Sequence, residues 1–204
     1  MLKIGLTGGI ASGKSTVAAM LRARGCHVLE MDPIGHELLQ PGSIAYSEVI
    51  GEFGREVLSP TGPIDRTKLG AIVFADKRKR ERLNAILHPR ILERVRGWFS
   101  DQQRHGADFA VVEAALIYEA GYNKQLDRTV VCWCQPEQQF ARLERRGLTG
   151  DQAQARINAQ MPIDEKRKLA DDVIDCSKSI EDTNRQTAEL IEKLKRLATT
   201  GNIS

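Results

Sequence analysis

No apolar run in this chain of 204 residues approaches the roughly 18 residues that a membrane-spanning helix needs. A membrane partner is therefore not expected. Aromatic residues are only 5% of the chain, and its one dense basic run, Lys77-Arg78-Lys79-Arg80-Glu81-Arg82, contains none of them. Without aromatic platforms to stack bases, and with a net charge of only +3, nucleic acid is not an expected partner either. That run reads as a solvated helix face or as a surface turned toward an anionic substrate. Cysteine is scarce: Cys26, Cys132, Cys134 and Cys176 form no C-x-x-C pair and no Cys/His set at metal-ligand spacing, which argues against a zinc site. Buried thiols in a reducing compartment are expected instead. Met1 leads straight into an apolar segment, so no leader peptide is expected before it, and the expected location is cytoplasmic.

Short apolar runs alternate with helical segments. Candidate strands are Leu2–Thr7, His27–Met31, Asp108–Ala114, Arg128–Cys134 and Asp172–Ile174. Continuous apolar strands separated by helices predict an α/β fold, a parallel sheet covered on both faces. The roughly 75 residues between the second and third strands are mostly helical in pattern, too long for a plain crossover, and predict an inserted subdomain. Asp65 reads as an N-cap, Pro60-Thr61-Gly62-Pro63 as a turn, and His88-Pro89 as the opening of a longer helix. Pro136 sits at a helix start, Thr149 and Gln152 form a capping box, and Ser179 with Asp182 caps the last helix.

Gly8-Gly9-Ile10-Ala11-Ser12-Gly13-Lys14-Ser15 fits G-x-x-x-x-G-K-[ST], the phosphate-binding P-loop. A strand precedes it and a helix pattern, Ser15 to Arg24, follows it. Glycines let backbone N–H groups converge on phosphate oxygens, and the helix start adds unpaired donors and the positive end of its dipole. In this motif Lys14 reaches the β- and γ-phosphates and the Ser15 hydroxyl ligates Mg²⁺. Replacing Lys14 by alanine is expected to leave the fold intact and remove turnover.

A P-loop alone leaves kinase, GTPase, motor and binding protein open. The guanine-reading N-K-x-D is missing, since its nearest match, Asn123-Lys124-Gln125-Leu126, ends in leucine. Asp32, at the end of the second candidate strand, lies where parallel strands form a ligand crevice. It reads as a base for an attacking hydroxyl or as the cap of a helix starting near Pro33. Glu113, at the end of the third, reads as an acid holding Mg²⁺ or its waters, or as a cap or ion-pair partner. Arg142, Arg145, Arg146 and Arg156 fall where small-molecule kinases carry an arginine lid over the phosphates, or they are solvated helix charge. Arg142 and Arg145, three apart, share a helix face. His88 reads as a ligand to substrate phosphate or ribose, or as a structural cap.

Taken in order, several strings resemble the dephospho-CoA kinase family. They are the P-loop segment Ile4–Val17, Ile64-Asp65-Arg66-Thr67-Lys68-Leu69, Leu87-His88-Pro89-Arg90-Ile91 and Leu116-Ile117-Tyr118-Glu119. Ala155–Pro162 and Ala170-Asp171-Asp172-Val173-Ile174-Asp175 complete the set. The resemblance implies a P-loop NTPase three-layer fold with a five-stranded parallel sheet in a single domain. It implies a helical CoA-binding insertion at about 33–105 and a lid at about 142–165. It implies transfer of the ATP γ-phosphate to the ribose 3′-hydroxyl of dephospho-CoA, with Mg²⁺, as the last step of coenzyme A synthesis. ATP would lie on Gly8 and Ala11 to Thr16 (Ala11, Ser12, Gly13, Lys14, Ser15, Thr16), with Arg142 and Cys176. Asp32, Lys14 and Arg145 would be catalytic, Asp32, Arg66 and His88 would face the acceptor, and Ser15 and Glu113 would hold the metal. The chain departs from the family pattern at five places. Met31-Asp32-Pro33 replaces D-A-D, and Glu113 and Ala115 stand in D-x-P-L-L-F-E. Arg145-Arg146 replaces R-D, Cys176 replaces an asparagine, and Ala11 replaces a glycine, tolerable there if its φ is negative.

Overall fold

The computed structural model describes residues 1–200. β1 (Leu2–Gly8) is buried over nearly its whole length because it is the central strand of a five-stranded sheet. The order is β2-β3-β1-β4-β5, with β2 at Val28–Glu30, β3 at Phe109–Glu113, β4 at Arg128–Trp133 and β5 at Asp172–Asp175. β1 runs parallel to β3 and β4, and β4 parallel to β5. Each strand lies within two residues of its expected bounds. The register sets Leu6 opposite Glu113 and Gly8 opposite Cys132, so the carboxyl ends of the three central strands share one edge.

The chain forms two compact units. One comprises Met1–Leu29 with Phe99–Ser204, of which residues 1–29 and 99–200 are described. Its core joins Ile4, Leu6, Val111, Val130 and Cys132 of the sheet to α1 (Lys14–Ala23) and α9 (Ile180–Thr200). From α1 come Val17, Ala18 and Leu21, and from α9 Leu190, Ile191 and Leu194. Each large aliphatic side chain buried there stabilises by about 1.5–3 kcal/mol. Three helices, α6 (Pro136–Glu144), α7 (Gly150–Asn158) and α8 (Ile163–Leu169), connect β4 to β5. Their starts follow the sequence: Pro136 begins α6, and Thr149 with Gln152 closes a capping box on α7. Asp182 N–H donates to Ser179 at the start of α9. All four cysteines are free thiols, with Cys132 and Cys134 fully buried.

The second unit, Glu30–Trp98, is helical and has its own core of Leu39, Ala45, Val49, Phe53, Val57, Ile64, Leu69 and Val73. It holds α2 (Met31–Leu38), α3 (Ile44–Phe53), α4 (Arg66–Ala75) and α5 (Lys77–Arg104) as far as Trp98. Asp65 caps α4 by accepting from the Thr67 and Lys68 N–H groups. One expectation is corrected here. His88-Pro89 does not open a helix: α5 begins at Lys77 and runs through Pro89. A proline inside a helix removes one N–H and crowds the carbonyl four residues back. Beside that gap the Arg90 guanidinium donates to the Ile86 carbonyl at 2.7 Å, and pairs with Glu48 at 2.6 Å.

Candidate active site

Between Gly8, which closes β1, and Lys14, which opens α1, the chain folds into the expected glycine-rich turn. Gly13 is the helix N-cap at φ +109, and a Cβ there would come within 2.9 Å of the Cys176 side chain. Left-handed backbone and close approach together require glycine. Ala11 lies at φ +58, the one non-glycine residue with positive φ among those described. The condition that its φ be negative is therefore not met. A Cβ in this region costs roughly 1–2 kcal/mol, which neighbouring contacts must offset. One is visible: Arg142 donates from Nη1 to the Ala11 carbonyl at 3.1 Å and from Nη2 to the Cys176 carbonyl at 2.7 Å. One planar guanidinium thus ties the loop to the turn after β5. The Ser12 hydroxyl is buried and, among the described residues, has no protein partner. Ser15 and Thr16 are exposed on the first turn of α1.

Lys14 and Glu113 form an ion pair with their side chains only 12% and 6% exposed. Of the two readings of Glu113, this structure shows the ion pair. Glutamate is one carbon longer than the aspartate of the family pattern, and its reach spans the distance from the end of β3 to the start of α1. A buried pair of this kind is costly to break by removing one partner, so Lys14→Ala cannot be assumed structurally silent. A hard-oxygen set, the open Ser15 hydroxyl and the Glu113 carboxylate, fits the ligand chemistry of Mg²⁺, which keeps most of its waters.

Arg145 is the C-cap of α6 and is exposed, as are Arg146 and Arg156. Arg142 and Arg145 therefore part company despite their spacing, one folded on the loop and one in solvent. Cys176 is buried with its thiol donating toward the Ile174 carbonyl at 3.7 Å. Burial pushes the Cys132 thiol well up and the Cys134 thiol up to about 11, which leaves both unreactive.

The other three candidate residues belong to the helical unit. Asp32 does not end a strand: β2 stops at Glu30, and Asp32 is the second residue of α2, exposed in its first turn. Nor does it cap that helix, because Glu30 occupies the N-cap position. Pro33 is the third helical residue, where its missing N–H has no intrahelical partner to lose. Arg66 is exposed at the first position of α4, where a cation opposes the helix dipole and so gains nothing from the helix. His88 is half-buried in α5, and burial lowers its pKa. In the basic run, Arg82 pairs with Glu52 at 2.8 Å and Lys77 with Glu81 at 3.9 Å, while Arg78, Lys79 and Arg80 are exposed.

Three polar residues near the loop escaped the sequence reading. Lys166 is fully buried, donating to the Ala115 carbonyl at 2.6 Å and pairing with Glu119 at 2.8 Å. Burial lowers its pKa, and the Glu119 hydrogen bond opposes that. It sits in the run Asp164-Glu165-Lys166-Arg167-Lys168, which looks solvated; the available signal is its i+3 spacing from buried Ile163. Gln139 and Gln160 both bond to Ile10; Gln160 stands in the string Ala155–Pro162 that carries the resemblance, but nothing in that string gives it this task.

Comparison with known proteins agrees with this geometry. The family model described as dephospho-CoA kinase matches residues 2–182. A dephospho-CoA kinase of Carboxydothermus hydrogenoformans is 45% identical over 193 residues, 94% of each chain. One of Thermobifida fusca is 43% identical over 197 residues, 96% of this chain and 98% of its own. The crystal structure of TT1252 from Thermus thermophilus superposes with a TM-score of 0.81 at 32% identity, covering 95% of this chain and 97% of that one. A dephospho-CoA kinase from Campylobacter jejuni gives a TM-score of 0.72 at 27% identity, with the same coverage.

Proposed function

The chain belongs to the dephospho-CoA kinase family, and from that premise we infer that it transfers the γ-phosphoryl group of ATP to the ribose 3′-hydroxyl of dephospho-CoA, releasing CoA and ADP. The observation that carries the reading is the phosphate cradle between β1 and α1, with Lys14 and the Glu113 carboxylate at its rim.

Phosphoryl transfer leaves little covalent work to the protein, so positioning and charge neutralisation supply most of the rate. Backbone N–H groups of Ala11 to Thr16 bind the β- and γ-phosphate oxygens, and the α1 dipole adds to them. Lys14 leaves Glu113 for the phosphates when ATP binds. Ser15 and Glu113 would hold Mg²⁺, which would neutralise phosphate charge during the transfer. Arg142 and Cys176 border the nucleotide, and Arg145, on the segment 142–165 that acts as the lid, closes on the transferring group. Asp32 orients the 3′-hydroxyl and takes its proton. Arg66 and His88 bind the acceptor within the CoA-binding insertion. Among the described residues no helix is long and apolar enough to cross a membrane, which is compatible with a cytoplasmic site of action. Release of ADP from ATP that depends on added dephospho-CoA tests the reading.

A further inference from the structure

Ile10, inside the P-loop, has both of its backbone polar groups held by glutamine side chains from elsewhere in its unit. Its N–H donates to Gln160 Oε1 at 2.8 Å, and its carbonyl accepts from Gln139 Nε2 at 2.7 Å. Gln139 lies on α6 and is only 3% exposed, while Gln160 is half-buried in the turn between α7 and α8. The Gln139 amide occupies the space a side chain at position 9 would need: a Cβ on Gly9 would lie 2.2 Å from Nε2. The motif itself allows any residue at that position. Here a side chain at position 9 would displace the Gln139 amide, the movable end of its side chain.

The next residue is Ala11, in the left-handed region, with its carbonyl bonded to Arg142. The strained turn that shapes the cradle is therefore fixed on its approach side by Gln139 and Gln160 and on its far side by Arg142. Gln160 is anchored in turn through its neighbour, since the Met161 N–H donates to Glu119 at 2.9 Å. Glu119 also carries the buried Lys166 of α8. The contact from Gln160 thus runs from the segment 142–165 into the loop that holds phosphate.

We propose that Gln160 and Gln139 are positioning residues that clamp the Ile10 backbone, hold the left-handed turn at Ala11 in its phosphate-binding shape, and make ATP affinity depend on the seating of the 142–165 segment. This rests on reading the loop as the ATP cradle. A fixed cradle binds phosphate without first paying to order its N–H groups. Removing an acceptor from the Ile10 N–H frees the peptide and lowers affinity for ATP, leaving the dephospho-CoA side untouched.

The test compares wild type, Gln160→Met, Gln160→Glu and Gly9→Ala by ATP titration calorimetry, by amide hydrogen exchange at Ile10 and by steady-state kinetics. Gln160→Met is expected to weaken ATP binding about tenfold, the scale of one lost hydrogen bond, and to speed Ile10 exchange. The KM for dephospho-CoA stays unchanged and the Tm moves by no more than about 2 °C. Gln160→Glu, which keeps an acceptor oxygen, restores slow Ile10 exchange. Gly9→Ala, which pushes the Gln139 amide away, reproduces the loss of ATP affinity. Unchanged ATP affinity or retained slow exchange in Gln160→Met, with wild type binding ATP normally, overturns the proposal and leaves the activity standing. A wild-type chain that does not bind ATP overturns both.

Discussion

Lys14, at the start of α1, and Glu113, at the end of β3, neutralise each other at the rim of the P-loop, with both side chains nearly buried. On the proposed reading ATP takes Lys14 out of this pair, which would strand a buried carboxylate unless a cation arrives with the nucleotide. Binding of ATP and of Mg²⁺ is therefore expected to be mutually dependent. Without Mg²⁺, the ATP affinity of wild type is expected to fall more than about tenfold, since an unpaired buried charge is strongly unfavourable. In Glu113→Gln that difference shrinks, because no buried charge is stranded. Calorimetric titrations with Mg²⁺ and with EDTA measure it. An equal difference in the two proteins would contradict the coupling.

The same pair revises the expectation for Lys14→Ala. Deleting the lysine leaves Glu113 buried without its partner, and the expected cost is about 3 kcal/mol of stability in urea unfolding. Glu113→Gln in the same chain recovers most of it. An unchanged midpoint in the single variant would show that water reaches Glu113 freely.

Ala11→Gly relieves a left-handed alanine worth roughly 1–2 kcal/mol, against about 0.4–1 kcal/mol of stability lost because glycine raises the entropy of the unfolded chain. The expected net effect is a Tm higher by about 1–3 °C for a chain of this size. A lower Tm would mean that the Arg142 contact needs the alanine geometry more than the glycine freedom.

Much of this fold was legible because its signals are local. The P-loop, the apolar strands, Asp65, Pro136, Thr149 and Ser179 act within a few residues of themselves. What escaped depends on distant contacts. Pro89 reads as a helix start, and only the packing of the helical core carries α5 through it. Ala11 stands at positive φ with its carbonyl held by Arg142, 131 residues away. Lys166 is hidden among charged neighbours, and its burial follows from Glu119 and the Ala115 carbonyl. Asp32 sits in the first turn of a helix because β2 ends at Glu30, before the Met31 that its apolar pattern includes.

His88 gives the helical unit a pH dependence. Burial lowers its pKa, so below about 6.5 the unfolded chain binds a proton that the folded chain resists. This contribution is present in full above the unfolded value and is lost as pH falls toward the folded one. Thermal melts from pH 8 to pH 5 are expected to show wild type losing more stability on the acid side than His88→Gln. Parallel curves would mean that His88 titrates as in the unfolded chain.

Asp32 is exposed, so Asp32→Asn is expected to keep the wild-type Tm. If Asp32 is the base, turnover falls by about 10²–10⁴-fold. The KM for ATP should change little, because the ATP cradle is untouched. Turnover within a few-fold of wild type would remove Asp32 from the chemistry.

The most direct measurement is ADP release from Mg²⁺-ATP by the purified chain with dephospho-CoA, with AMP and with no acceptor, followed by identification of the product. Turnover confined to dephospho-CoA, with one phosphate added at the ribose 3′ position, is the expected result. Turnover with AMP, or none that depends on dephospho-CoA, would contradict the assigned reaction.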